Sequence, residues 1–425
     1  AVFPLVAPHW WEHNRNKGIV VAIISVPVIL YLVGMFGETG LHELEHKAKE
    51  YVSFILLLTS LYVISGGIYV QGSLSGTPLV NTSMLAFGAA IASFVGTTGA
   101  SVLLIRPLLR ANDSRRRKVH VVVFFIFIVS NCGGLLTPLG DPPLFLGFLK
   151  GVPFGWTFKL WPQWLVVNGV LLVIFNIWDQ IALNKEEKER TGSQLEEVMH
   201  HQPFAVHGLH NLFFLGGIIA TIVASGHGIG SGGEPWPYGV QEGLMLLLAI
   251  AGYLTTSGQN REKNRFSFGP IIEVAVLFIG IFATMTPALA ILDVNGPELA
   301  RLGMKSPAHF FWASGILSSF LDNAPTYLTF AVTACSVNHI PTEDVPRYLA
   351  DFLAHAPGAD ELLAAISCGA VFMGANTYIG NGPNFMVKAI AEENGVKMPG
   401  FFAYMLYSVA VLIPVFVVVT FWFFR

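Results

Sequence analysis

Asp141 and Asp322 are carboxylates set in apolar sequence, each beside residues that interrupt helices. Asp141 follows Gly133-Gly134-Leu135-Leu136-Thr137-Pro138 and precedes Pro142-Pro143, whereas Asp322 lies within Leu321-Asp322-Asn323-Ala324-Pro325. A charge at membrane depth is expensive, so a carboxylate held there marks an ion or proton pathway. Freed backbone carbonyls, the amides of Asn323 and Asn376 and the hydroxyls of Thr97, Thr98, Ser101, Thr137 and Thr377 complete a hard oxygen set suited to Na⁺ or Li⁺. A carboxylate takes up a cation or a proton but not both, so the two compete for Asp141 and Asp322 and exchange follows. The plainer reading is that both aspartates cap half-helices. Asn131, Asn381 and Asn384 either add amide oxygens or hold the loops open. Glu273 begins an apolar run and is either a third titrating carboxylate or a residue at the water interface.

The elements that must position these groups are membrane helices. Of 425 residues, 53% are hydrophobic and 12% charged, with a mean hydropathy of +0.60, against roughly a quarter charged in soluble domains. Apolar runs long enough to cross a bilayer recur at 18–36, 51–72, 160–182, 208–226, 238–255, 270–291 and 401–424, and they lack the period-two alternation of a barrel strand. The expected class is an all-α polytopic membrane protein, with the lipid bilayer as its surroundings. Four further stretches are interrupted at their middles. Those at 84–110 (around Gly96-Thr97-Thr98-Gly99) and 308–335 (around Asp322) have arms too short to span and predict re-entrant hairpins; those at 119–152 and 362–394 predict helices broken at mid-membrane. Cys132, Cys335 and Cys368 read as packing residues, and a net charge of −3 does not point to nucleic acid.

Nine crossings place Arg15, Lys17, the run Arg110–Lys118, Lys185, Lys188, Arg190, Arg261, Lys263, Arg265 and Lys397 on one side, and the acidic stretches near Glu43 and Asp344 on the other. By the positive-inside rule the first residues are cytoplasmic and the C-terminus outside, in a cell inner (plasma) membrane. The opening Ala-Val-Phe-Pro-Leu-Val-Ala reads as the trailing end of an apolar segment, so an upstream span is expected to be missing. Arg106 and Lys388, on arms toward the cytoplasm, are expected to snorkel, though either could receive an anion.

The two halves repeat. Glu50–Leu56 aligns with Glu273–Ile279 at a shift of 223, Ser93–Val95 with Ser319–Leu321 at 226, and Thr137–Phe145 with Thr377–Phe385 at 240. With the assigned crossings, residues 1–182 and 238–425 form repeats of opposite orientation, joined by a cytoplasmic loop and linking helix at 183–237. Inverted repeats with broken helices in matching places are the signature of a secondary transporter with its site at the midplane. Two patterns point elsewhere. His42-Glu43-Leu44-Glu45-His46 matches the zinc-protease H-E-x-x-H, but it falls in a short acidic outside loop and reads as a charged turn. No phosphate-binding glycine motif occurs, so neither ATP-driven transport, nor an enzyme activity, nor a bound cofactor is expected.

Gly133-Gly-Leu-Leu-Thr-Pro-Leu-Gly-Asp-Pro-Pro143 resembles the glycine-rich signature of the ion transporter superfamily, which includes NhaD-type sodium/proton antiporters, the melanosomal P protein, arsenite permeases and citrate or dicarboxylate carriers. Leu321-Asp-Asn-Ala-Pro325 resembles the second hairpin of the antiporter-like branch, and Gly96–Ser101 sits where the carboxylate carriers have a Ser-Asn-Thr tip. The resemblance covers nearly the whole chain. It implies two hairpins, two broken helices, a scaffold supporting a moving transport domain, and a homodimer working by an elevator motion. The acidic tips favour Na⁺(Li⁺)/H⁺ antiport, with those ions as substrates; the alternative is a Na⁺- or H⁺-coupled citrate or dicarboxylate carrier, which Asn381 in place of a second Asp would accommodate.

Overall fold

The computed structural model describes residues 7–11, 13–71, 76–189, 205–232, 236–301, 304–342, 345 and 347–425. Its principal helices are α1 (Asn14–Ser65), α2 (Pro78–Val95), α3 (Thr97–Ala111), α4 (Val119–Ile128), α5 (Pro142–Leu149), α6 (Trp161–Glu189), α7 (Asn211–Gly226), α8 (Val240–Thr255), α9 (Gly269–Arg301), α10 (Pro307–Ser318), α11 (Asn323–Val337), α12 (Ala359–Met373), α13 (Gly382–Glu393) and α14 (Phe401–Phe423). This is an all-α polytopic membrane protein. Among the described residues, strand pairing is confined to β1 (Tyr69–Gln71) and β2 (Ala205–His207), two short antiparallel segments.

Among the described residues six stretches are long and apolar enough to cross a bilayer, and α7 and α8 are shorter apolar helices of 16 residues. One of the six is α2, expected as a hairpin arm too short to span; at 18 residues it has the length and composition of a full span. The runs expected at 18–36 and 51–72 share the 52-residue α1, which turns back on itself at Gly37. There φ is +55°, and a Cβ added at Gly40 would stand 2.3 Å from the Leu32 carbonyl oxygen, a contact possible only if the two limbs are antiparallel. The 42–46 segment is therefore helical and not the loop or turn expected from its acidity: an apolar limb carries helix straight through it. His46 Nε2 lies 3.0 Å from Glu50 Oε1, one turn along that limb.

Both limbs of α1 pack on α9, with Tyr51 donating to the Ala275 carbonyl (3.0 Å) and Phe54 against Phe278 (4.7 Å between ring centres). With α7 and α8 they make one group of helices. The remaining helices form a body around the two interruptions. In lipid, helices gain little by burying apolar surface against each other, and small residues that admit close approach take over. Gly133 lies against the backbone of Ala89 in α2; Gly315 in α10 and Gly369 in α12 are so close to Met373 and Ser314 that a methyl at either would overlap them. After Val119 all of α4 is buried, as its run His-Val-Val-Val-Phe-Phe-Ile-Phe-Ile requires.

Local sequence sets the hairpins and breaks. Pro78 and Pro307 open α2 and α10 behind the capping hydroxyls of Thr77 and Ser306. Gly96, at φ +81°, turns α2 into α3, a conformation that costs a side chain and suits glycine. The chain leaves α4, makes one tight turn at Cys132–Leu136, turns again where the Gly140 amide donates to the Thr137 carbonyl (3.0 Å), and re-enters helix at Pro142; the second break passes from α12 through Gly374–Asn376 to α13. The second arm of each hairpin packs on the second half of the other broken helix: α11 on α5, and α13 on α3.

Candidate functional site

Each break is stitched by hydroxyls. The Ser93 hydroxyl donates to the Gly133 carbonyl (2.6 Å) and accepts from the Leu136 amide, while the Thr137 hydroxyl donates to the Ser93 carbonyl and accepts from the Leu139 amide. In the other break Ser319 donates to the Met373 carbonyl (3.2 Å), and the Thr377 hydroxyl donates to the Ser319 carbonyl (2.5 Å) and accepts from the Ile379 amide (3.2 Å). Thr137 and Thr377 thus hold the loops that follow the tight turns and do not touch Asp141. Backbone polar groups freed at membrane depth find partners inside the protein, as they must.

Asp141 lies where all four interruptions meet. It is 1% exposed and in extended conformation immediately before α5. Its Oδ1 accepts from the Thr97 hydroxyl (2.9 Å), at the first hairpin's turn, and from Asn381 Nδ2 (3.2 Å), in the second break. Its Oδ2 accepts from Asn323 Nδ2, at the second hairpin's turn. The buried Asn323 Oδ1 has no hydrogen-bond partner among the described residues, so an amide oxygen stands available beside the carboxylate. Asn131 braces the cluster, donating to Asn384 Oδ1 (2.7 Å) and accepting from Asn381 Nδ2 (3.2 Å), while Asn384 Nδ2 bonds the Gly374 and Thr377 carbonyls.

The other expected residues divide. Asp322 caps α11, accepting from the Ala324 amide at 3.1 Å, so its capping role is present. Thr98 and Thr97 line a cavity between the first hairpin's turn, Leu139, Gly140 and Pro142 on either side of Asp141, the Leu58, Leu61 and Tyr62 side of α1, and Pro270, Ile271 and Val274 of α9; among the described residues no Lys, Arg or His lines it. Asn376 Nδ2 bonds the Ser319 hydroxyl (2.9 Å), and its buried Oδ1 has no partner. Glu273 stands outside this convergence: it is 40% exposed and pairs with Lys17 at 2.7 Å. Arg106 donates to the Asn264 carbonyl (2.9 Å) and Lys388 pairs with Glu392 (3.1 Å).

Two buried polar assemblies had no signal in the sequence. Asp179 of α6 accepts from Arg115 and Asn81 (both 2.8 Å) and faces His120 Nε2 (2.8 Å); its members come from four segments. Glu50 meets Lys150 and Lys47, and spacing alone gives no hint of a pair 100 residues apart. Cys132, Cys335 and Cys368 are buried.

No curated protein matches the chain. A family model described as "Putative citrate transport" matches residues 1–424. With a fold of apolar membrane helices around a buried polar convergence, the chain belongs to this transport family, within the ion transporter and citrate carrier superfamily.

Proposed function

We propose that this protein is a secondary active transporter in which Asp141 alternately binds Na⁺ or Li⁺ and a proton, so that it works as a Na⁺(Li⁺)/H⁺ antiporter. The observation that carries this is a buried carboxylate in one chain interruption whose partners, Thr97, Asn323 and Asn381, come from the other three. A cation would recruit Asp141, the Thr97 hydroxyl and the available Asn323 oxygen as hard ligands, with Thr98 at the cavity and the amide of Asn376 beyond it. Asp322 stands next to Asn323 as the second candidate for proton coupling. The absence of basic side chains from the cavity wall favours a cation over a multivalent anion as the ligand nearest Asp141.

On this reading residues 1–182 and 238–425 are inverted repeats, the start of the chain is cytoplasmic, and the group containing α1, α7, α8 and α9 is the scaffold of a homodimer past which the body moves. Purified protein in liposomes tests the exchange. Addition of Na⁺ or Li⁺ should collapse an imposed pH gradient, K⁺ should not, and Asp141→Asn should abolish the effect; no Na⁺-dependent collapse in the parent protein sinks the proposal.

A second reading is favoured by the family's description: Na⁺- or H⁺-coupled carriage of citrate or a dicarboxylate. Here Asp141 holds the coupling ion, and the amino ends of α3 and α5 beside the cavity face the anion. Gradient-driven uptake of labelled citrate, without exchange of Na⁺ for H⁺ in its absence, decides for this reading.

A further inference from the structure

Glu50, Lys47 and Lys150 are charged and almost fully buried, at 9%, 8% and 3% exposure, far from Asp141's partners along the chain. Lys150 ends α5, the half-helix that Asp141 begins; Glu50 and Lys47 belong to the second limb of α1. The Lys150 ammonium bonds Glu50 Oε1, Lys47 Nζ is 3.4 Å from Glu50 Oε2, and His46 Nε2 is 3.0 Å from Oε1. On its other side Lys150 is fixed by the Leu349 amide, which donates to its carbonyl (3.1 Å), and by the Tyr348 ring 5.7 Å from its ammonium. Gly151, at φ +103°, lets the chain turn tightly against Arg347.

The placement of this cluster is informative. The cavity beside Asp141 meets α1 at Leu58, Leu61 and Tyr62, toward the end where Tyr62 donates to the Ser267 carbonyl. Glu50 is eight residues from Leu58 in the opposite direction, about 12 Å of helix. Between the two, the faces of α1 and the body are apolar, with Phe54 against Phe145 (6.3 Å). An apolar seam can slide with little change in energy. A buried ion pair is poor at adding stability compared with apolar packing, yet costs several kcal/mol when one partner is left alone, and is best suited to selecting one arrangement over another.

We infer that Glu50 and Lys150 form a latch that closes the molecule at the end opposite the cavity, and that they separate once in every transport cycle. The inference rests on the alternating-access reading above, for which this structure is the state with the cavity at the Tyr62 end. In the opposite state α5 carries Lys150 away from α1, and both charges regain water.

Glu50→Cys/Lys150→Cys in the full chain, reconstituted in liposomes, tests it; the native cysteines are buried. Ion exchange is measured reduced and again after a bifunctional maleimide or oxidation has joined positions 50 and 150, with loss of free thiol reporting the link. The expected result is at least a tenfold loss of exchange on linking, recovered when a disulfide link is reduced. Linked protein that exchanges as fast as reduced protein overturns the latch, while exchange missing from the parent protein instead refutes the transport reading. Should the double variant not assemble, Glu50→Gln/Lys150→Gln takes its place, with Leu58→Cys in the cavity wall as reporter. Removing the latch should lower labelling of position 58 by a water-soluble maleimide several-fold, and unchanged labelling overturns it.

Discussion

From Gly133 to Asp141, and again from Met373 to Asn381, the chain goes through the same moves. A helix ends in one tight turn, a threonine hydroxyl ties the loop that follows to a serine carbonyl in the neighbouring hairpin, and a proline lies in the first turn of the next helix. Thr137 and Thr377 have φ, ψ of −137°, 158° and −138°, 167°; Asp141 and Asn381 have −146°, 143° and −151°, 141°. Two unlike residues thus occupy one backbone geometry. Glycine, serine, threonine and proline build the break, and the side chain at its end decides whether it holds a charge. Between the two breaks the difference in charge reduces to one position, Asp141 against Asn381.

Exchanging those two side chains tests the comparison most severely. Asp141→Asn removes the charge and keeps the shape, and its counterpart proves that asparagine fits this backbone. Transport should fall by about a hundredfold or more, since the uptake of cation or proton loses its carboxylate, while thermal stability is retained. Residual ion exchange above a tenth of the parent rate breaks the assignment. The converse, Asn381→Asp, sets a second carboxylate against Asp141, whose Oδ1 lies 3.2 Å from the present amide nitrogen. Repulsion between the two should lower the thermal midpoint in the absence of Na⁺ and make stability depend more steeply on Na⁺ concentration.

The glycines that close each loop should be equally intolerant, which tests whether the two backbones are equivalent. A Cβ at Gly140 would stand 2.0 Å from the Gly134 carbonyl oxygen; one at Gly380 would stand 2.5 Å from the Gly374 oxygen and 2.7 Å from that of Ser318. Backbone must move in both cases. Gly140→Ala and Gly380→Ala should each cost on the order of 3 kcal/mol and cut the yield of monodisperse protein alike. Loss in only one of them would show that the breaks carry unequal load. Smaller and again matched effects, about 1 kcal/mol each, are expected for Thr137→Val and Thr377→Val, read as shifts in thermal midpoint.

How much of this was legible in the sequence follows from distance along the chain. Hairpins and breaks announce themselves within a dozen residues: Gly96 permits a positive φ, and Pro142 and Pro383 stand in the first turns of helices, although α2 proves longer than the short arm expected. The likeness of 137–145 to 377–385 is also local, and the hydroxyl latches recur at it. Asp141 stood out because a charge in apolar sequence is rare. Thr97 and Asn323 stood out beside it as oxygen ligands and Asn381 as a ligand or a brace, but that Asn323 and Asn381 reach this carboxylate across 182 and 240 residues, and Asn376 does not, is beyond any local rule. Thr137 and Thr377 were expected as ligands for their chemistry, but that chemistry also satisfies a broken backbone. The 42–46 segment read as a turn from its charges, although the limb into which it runs continues as helix to Ser65.

The smallest effect expected concerns the other aligned pair of acids. Glu50 and Glu273 occupy matching places in the two halves, so symmetry alone assigns them like importance. Their surroundings do not. Glu50 is 9% exposed and gathers two lysines and a histidine, whereas Glu273 is 40% exposed and meets Lys17 near the start of α9. An ion pair with one partner half in solvent contributes little, about 1 kcal/mol or less, because water competes for it. Glu273→Gln should therefore leave the exchange rate within about twofold of the parent and its pH profile unmoved, measured in the same liposomes as Asp141→Asn. A large loss, or a displaced profile, would return Glu273 to the proton pathway and show that sequence symmetry tracks function better than burial does at this pair.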